Sequence, residues 1–400
     1  MLDILIIAHF TQVPGEAGNG RFHYIAEKIN KTKATVEVVT TSFSHKNKYQ
    51  RQVTDEQLDS LSYRLTMLYE PGYRKNVSLK RIISHSTVGR NLNSYLLKRK
   101  KPDVIYCAVP SLDVAGVAAR YAENNNIRFI IDIQDLWPEA FEMVFRVPYI
   151  SNLLFYSIRQ KANYIYASAD EIVAVSQTYV NRALEVNSKC KVGYSVYLGT
   201  ELESFDKFAE NNRCAGKPMD EIWLAYIGTL GHSYDLICVI DALKKIKGKC
   251  NIKFIVMGDG PLKSQFERYA KEQGVYAEFT GRLHYGKMVG ILKACDIAVN
   301  PISPGAAQSI INKHGDYASA GLPVINSQEC IEYRNLVEEY QMGLNCENKN
   351  AEDMAEKLLK LCNDEALRKV MGENSRRLAE DKFDRKKTYK KIISLLEGTM

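Results

Sequence analysis

Short β-rich runs alternate along the chain with segments whose apolar residues recur every three or four positions. Ile4–Ala8 reads as a strand, and Phe22, Ile25, Ala26 and Ile29 follow at helical spacing. Val36–Thr40 and Val104–Ala108 are further strands, the second followed by a helical face of Val114, Val117, Ala118 and Tyr121. Phe129–Ile133 and Ile172–Val175 complete a first series. Residues 206–220 are charged and aperiodic and read as a linker region. The alternation then restarts: strands at Trp223–Ile227, Ile252–Met257, Glu278–Thr280, Ile297–Asn300 and Pro323–Ile325, with helix faces at Leu236, Val239, Ile240 and Leu243 and at Leu262, Phe266, Tyr269 and Ala270.

Repeated βαβ alternation predicts an α/β fold with a parallel, doubly wound sheet. Its restart predicts two Rossmann-like domains, 1–200 and 201–383, with ligands where strand C-termini face an interdomain cleft. A basic amphipathic segment with Tyr389, Ile392, Ile393 and Leu396 predicts a terminal helix, 384–400. The length of 400 residues suits two domains rather than one core. Nine cysteines are scattered from Cys107 to Cys362 without a C-x-x-C pair, which points to reduced thiols rather than a disulfide framework or a zinc knuckle. The apolar start Leu2–Ile7 lacks a basic flank and a small-residue cleavage site, so it reads as a strand and not a signal peptide. No run of 18 uncharged apolar residues predicts a membrane span. The expected location is cytoplasmic. The formal charge of +7 does not mark a dedicated nucleic-acid binder, but residues 71–102 hold nine Lys/Arg and no acid.

Four segments carry candidate chemistry. In Pro14–Arg21, the loop residues Gly18, Asn19, Gly20 and Arg21 precede a helix whose N-terminus favours an anion, but the spacing is not G-x-G-x-x-G, and a flexible connection is equally consistent. Gln134–Glu139 follows an apolar strand. Asp135 or Glu139 could orient or deprotonate a hydroxyl, or Asp135 could cap a helix with Pro138 and Glu139 in its first turn. Tyr226–His232 places Gly228 and Gly231 after a strand, where backbone N–H groups could meet phosphate, with Thr229 and His232 beside them; Gly258 lies in a similar strand-to-turn element. The richest stretch runs from Asn300 through a small-residue loop to Ser309 and a helix start at Gln308–Ile311, then Lys313 and Asp316. A helix N-terminus could hold a diphosphate, Lys313 add a point charge and Asp316 accept two hydrogen bonds from a ribose diol. A solvated i,i+3 pair of Lys313 and Asp316 is the simpler alternative. No compelling metal-ligand cluster is apparent in the sequence.

In this order the four elements resemble the retaining glycosyltransferases of the GT-B fold, family 4, over nearly the whole chain. The segment Asp135-Leu136-Trp137-Pro138 is similar to one in bacterial enzymes of capsule and O-antigen synthesis. The resemblance implies a C-terminal domain that binds a nucleotide sugar, an N-terminal domain that binds the acceptor, and transfer with retention. It implies UDP as nucleotide, no cofactor and no essential metal. The family's two acids, with seven residues between them, fall here on Gln308 and Asp316, so the first acid is missing. By resemblance Asp316 binds the ribose, Gln308, Ser309 and Ile310 lie near sugar and phosphates, and Arg282 lies near the base. The Arg and Lys that many members carry after the glycine matching Gly228 are also missing. Asp135, with Glu139 as second candidate, would orient the acceptor hydroxyl. The basic segment 71–102 and the apolar, aromatic run 141–156 suggest a polyprenyl-diphosphate-linked or oligosaccharide acceptor, and a peripheral position on the inner face of an anionic plasma membrane. Two alternatives stay open: a nucleotide-sugar 2-epimerase of the same architecture, and a non-catalytic sugar-nucleotide-binding assembly subunit.

Overall fold

The computed structural model describes residues 1–16, 20–139, 150–306 and 309–399, with the side chains of residues 150–154 left aside. The chain divides into two compact units, residues 1–196 with 389–400 and residues 197–388. The first contains strands β1 (Leu2–Ile7), β2 (Ala34–Thr41), β3 (Phe43–Ser44), β4 (Tyr49–Gln50), β5 (Arg64–Leu68), β6 (Val104–Val109), β7 (Arg128–Ile133), β8 (Glu171–Ala174) and β9 (Tyr194–Ser195). The second contains β10 (Ile222–Ile227), β11 (Ile252–Met257), β12 (Ala277–Gly281), β13 (Ile297–Asn300), β14 (Val324–Asn326) and β15 (Gly343–Asn345).

Both main sheets are parallel. The first runs β5-β2-β1-β6-β7-β8-β9 and the second β12-β11-β10-β13-β14-β15. Counted within the second unit this is the Rossmann order 3-2-1-4-5-6, and the first unit has the same reversal beside β1. The order reverses between β1 and β6 in one unit and between β10 and β13 in the other. Loops leaving these pairs diverge to opposite sides of the sheet, which opens a crevice at the strand C-termini.

The two-residue strand period explains why the second unit has a core on each sheet face. Trp223, Ala225 and Ile227 of β10 join Ile255, Met257, Ala298 and Val324 on one side. Leu224 and Tyr226 join Phe254, Val256, Ile297, Val299 and Ile325 on the other. Helices cover both sides, so the strands read as continuous apolar runs. The region read as a linker begins with a helix, Leu202–Asn211, whose Leu202, Phe205 and Ala209 pack into the core. Its charged outer face obscured that stripe in the sequence.

The terminal helix Lys390–Leu396 belongs to the first unit. Ile392, Leu395 and Leu396 enter the core of β1 and β2, and the Arg128 guanidinium donates to the Leu395 carbonyl at 2.9 Å.

Candidate functional site

In the second unit the switch-point loops are built by close backbone contact. A Cβ on Gly258 would lie 1.8 Å from the Gly228 carbonyl oxygen, so only glycine lets the β10 and β11 loops touch. Gly228 itself has φ +133° and donates its N–H to the Met257 carbonyl. Gly258 is buried beneath the loop and acts there as a spacer. Gly228 and Thr229 are exposed above it, as are His232 and Arg282.

The helix Asn312–Ala320 feeds Lys313 under this loop. The predicted helix start at Gln308–Ile311 falls later, at Asn312, and Gln308 lies outside the described residues. Lys313 is 7% exposed and its Nζ has no hydrogen-bond partner among the described residues. The ammonium lies 3.8 Å from the Tyr234 ring centroid and 4.2 Å from that of Tyr226. A Cβ on Gly228 would stand 3.0 Å from it, so Nζ reaches the underside of the exposed loop. Burial pushes its pKa well below the ordinary lysine value. Two aromatic faces stabilise a cation but satisfy none of its three donors. Burial disfavours its protonated form in the empty site, and a bound anion would favour it.

One turn on, half-buried Asp316 accepts from the Tyr285 hydroxyl at 2.8 Å. Burial raises its pKa to about 6, opposed by that hydrogen bond and by Arg385. No Lys313–Asp316 ion pair forms among the described residues. Ser309 and Ile310 are both buried, Ile310 in the apolar core, so its side chain is not a ligand contact. The Ser309 carbonyl is held by Gln328 Nε2 at 2.9 Å. The Asn300 amide nitrogen in turn meets Gln328, Asn326 and His314, fixing the small-residue loop from below. Sequence reasoning gave no role to Tyr317, whose hydroxyl accepts from the Ile227 N–H at 3.0 Å and donates to the Val299 carbonyl at 3.2 Å. It bridges the ends of β10 and β13 where the topology parts them.

The first unit differs more from expectation. Arg21 is not available to phosphate. It is buried and bonds Asp132 through Nε at 2.7 Å and Nη2 at 3.1 Å, and the Val196 carbonyl at 3.0 Å. A buried carboxylate on β7 needs a guanidinium fork more than the loop needs a cation. The Gly20 N–H donates to the Gln12 side chain at 3.1 Å, and Gly18 and Asn19 lie outside the described residues. Asp135 accepts from the Leu136 N–H at 3.0 Å and Trp137 Nε1 at 3.2 Å, and burial raises its pKa. Glu139 is held by Arg182 at 2.6 Å. Of the aromatic run 141–156, residues 141–149 lie outside the described residues.

At this unit's own switch point stands a cluster that the sequence did not reveal. His9 follows β1, Ser111 follows β6, and Glu70 follows β5. His9 Nδ1 lies 2.6 Å from Ser111 Oγ, and its Nε2 lies 2.9 Å from Glu70 Oε2. His45 and His85 stand edge-on to His9, and Phe10 stacks on it. Trp137, oriented by Asp135, stacks parallel to His85 at 6.2 Å, and the Arg81 guanidinium lies 5.0 Å from the Trp137 ring. The members are dispersed from residue 9 to residue 137, so no local motif marks them.

Comparisons with known proteins agree with this geometry. Residues 207–378, most of the second unit, match the family model described as Glycosyl transferases group 1. An uncharacterized glycosyltransferase of Methanocaldococcus jannaschii is 28% identical over 243 residues, 58% of this chain and 60% of that protein. A second from the same organism is 25% identical over 231 residues, 58% of this chain and 59% of its own length. The matches thus span less than two thirds of these relatives. Among solved structures, sucrose-phosphate synthase from Thermosynechococcus elongatus superposes with a TM-score of 0.72 at 16% identity, covering 100% of this chain and 98% of that one. Anabaena HepE in complex with UDP-glucose gives 0.64 at 14% identity, covering 100% of both chains. WaaG, a glycosyltransferase involved in lipopolysaccharide biosynthesis, gives 0.66 at 15% identity, covering 99% and 100%. The fold is GT-B. The family match and the similar proteins together support a glycosyltransferase.

Proposed function

We propose that the protein is a retaining glycosyltransferase of family 4 that moves a sugar from a UDP-sugar to a lipid-linked or oligosaccharide acceptor in bacterial surface polysaccharide synthesis. The observation that carries the donor half is the buried Lys313 amine, without a hydrogen-bond partner among the described residues, beneath the exposed Gly228–Thr229 loop. As the anomeric C–O bond breaks, negative charge grows on the leaving diphosphate. A cation fixed in advance in a low-dielectric pocket stabilises that charge without reorganising. It supplies at the diphosphate the positive charge that a bound metal would otherwise give, and Thr229 and His232 border the same loop. Asp316 binds the ribose diol when ionised, with Arg282 near the base and Gln308 near the sugar.

The acceptor is assigned to the first unit, where Asp135 is held beside Trp137 and the histidine cluster. HepE in complex with UDP-glucose and WaaG in lipopolysaccharide biosynthesis support the nucleotide and the setting by analogy. No helix among the described residues is long and apolar enough to cross a membrane. Peripheral contact with an anionic membrane is supported by the start of the helix Leu79–Lys98. There Val77, Leu79, Ile82 and Ile83 are exposed among Arg74, Lys75 and Lys80.

Ligand-induced thermal stabilisation against UDP-, GDP-, ADP- and TDP-sugars tests the reading. A ligand at 100 times its Kd adds about 2.7 kcal/mol. UDP-sugars should raise the melting temperature of the wild type and not of Asp316→Ala. Absence of any response at millimolar concentration would refute the donor site. Binding with no turnover across a panel of acceptors would favour a non-catalytic subunit instead.

A further inference from the structure

We propose that His9, Glu70 and His85 form a site for one zinc-class divalent ion in the first unit. The site is independent of the donor reading.

Three elements bring the ligands together: the loop after β1, the loop after β5 and the helix Leu79–Lys98. One ligand atom from each lies within 4.8 Å of the other two, and all three residues are buried. Around a tetrahedral ion with bonds of about 2.0–2.1 Å, ligand atoms stand about 3.4 Å apart. His9 Nε2 and Glu70 Oε2 are 2.9 Å apart, so drawing in His85 completes the set with small side-chain movements. Two imidazoles and a carboxylate suit zinc or cobalt better than magnesium or calcium.

The second observation is an orphan. His85 is 5% exposed, and its Nε2 has no partner among the described residues. A buried ring nitrogen left without donor or acceptor is costly, and an ion would satisfy it.

The surroundings match the outer shell of such sites. With His9 ligating through Nε2, its proton sits on Nδ1 and Ser111 Oγ accepts it across 2.6 Å. Glu70 keeps two orienting donors, Thr41 Oγ1 at 2.7 Å and Ser84 Oγ at 2.6 Å, and His45 Nε2 stands 3.2 Å from its carboxylate without a hydrogen bond. His45 is steadied in turn by the Tyr73 hydroxyl at 2.8 Å. Phe10 and Trp137 pack over His9 and His85. The role this arrangement fits is structural: one ion would pin three dispersed segments at the strand C-termini.

The test uses the full chain without a histidine tag, treated with EDTA, dialysed and titrated with Co²⁺. The wild type should develop the visible d–d absorption of a tetrahedral site, saturating at one Co²⁺ per chain and abolished by one equivalent of Zn²⁺. His85→Ala spares the His9–Glu70 contact and should lose that signal, as should Glu70→Gln. Circular dichroism and cooperative thermal unfolding report whether each variant is folded. No saturable absorption in the wild type, or an unchanged spectrum in folded His85→Ala, would overturn the site and leave a hydrogen-bonded histidine cluster.

Discussion

The Lys313 ammonium lies 3.8 Å from the centroid of the Tyr234 ring, enclosed and without a hydrogen-bond acceptor among the described residues. A cation in this position costs stability in the empty protein and is compensated when an anion arrives. Lys313→Met should therefore raise the melting temperature of the unliganded protein, since an unsatisfied buried polar group costs about 1–3 kcal/mol. It should weaken UDP-sugar binding roughly tenfold to a hundredfold, the worth of a charged hydrogen bond. Calorimetric scans with and without UDP-sugar measure both effects. The sign of the pH dependence follows from the depressed pKa. Between that value and the ordinary 10.5 the unfolded chain binds more protons, so Lys313 makes stability rise with pH, and the Met variant should lose that slope.

Asp316 offers a second titration. Its pKa is raised from 3.8 to about 6, so its contribution to stability is present below 3.8 and lost as pH rises through about 6. A ribose diol needs the ionised acceptor, so donor affinity should strengthen across the same midpoint. Tyr285 donates to the ionised form, and Tyr285→Phe should move the midpoint upward. Isothermal titration of UDP-sugar binding across this range reads both. A flat wild-type profile would remove Asp316 from the ribose site.

Arg21 and Asp132 form a buried, two-pronged pair with Tyr106 also donating to the carboxylate at 2.6 Å. Arg21→Met should cost about 3–5 kcal/mol, because it strands a buried charge. The double variant with Asp132→Leu should cost less than the sum of the single changes. Urea denaturation midpoints decide this, and a phosphate-binding Arg21 would instead show normal stability with impaired binding.

The glycines at the second switch point separate cleanly. Gly258→Ala places a Cβ 1.8 Å from the Gly228 carbonyl oxygen and should destabilise the unit severely or abolish UDP-sugar binding. Gly231→Ala meets nothing nearer than 3.7 Å and should change stability by less than about 1 kcal/mol. Melting temperatures of the two variants make the comparison.

The exposed apolar residues at the start of helix Leu79–Lys98 predict sedimentation with anionic but not zwitterionic liposomes at low salt. Replacing Ile82 and Ile83 by Asp should reduce it at least tenfold with little effect on melting temperature. Equal binding by the variant would place membrane contact elsewhere.

The central strands and their parallel doubly wound arrangement were legible because those strands are buried on both faces and read as local apolar runs, as Trp223–Ile227 and Phe129–Ile133 do; β5, β9 and β15, only partly buried, carry no such run and were not read. Gly228 and Lys313 could be picked out as candidates too, since loop chemistry at a strand end is written in neighbouring residues. The sequence did not reveal what such residues face. Arg21 stands in a loop-to-helix signature that suits an anion, yet it answers Asp132, 111 positions away. Nothing local distinguishes Lys313 in solvent from Lys313 enclosed by Tyr226 and Tyr234. His9, Glu70 and His85 come from three segments, and only the order of strands in the sheet brings them within 4.8 Å of one another. Periodicity decides what a segment becomes, because it is set by neighbours in the chain. The charge state and partners of a buried polar group depend on residues that the fold alone makes neighbours, so they were settled by tertiary structure.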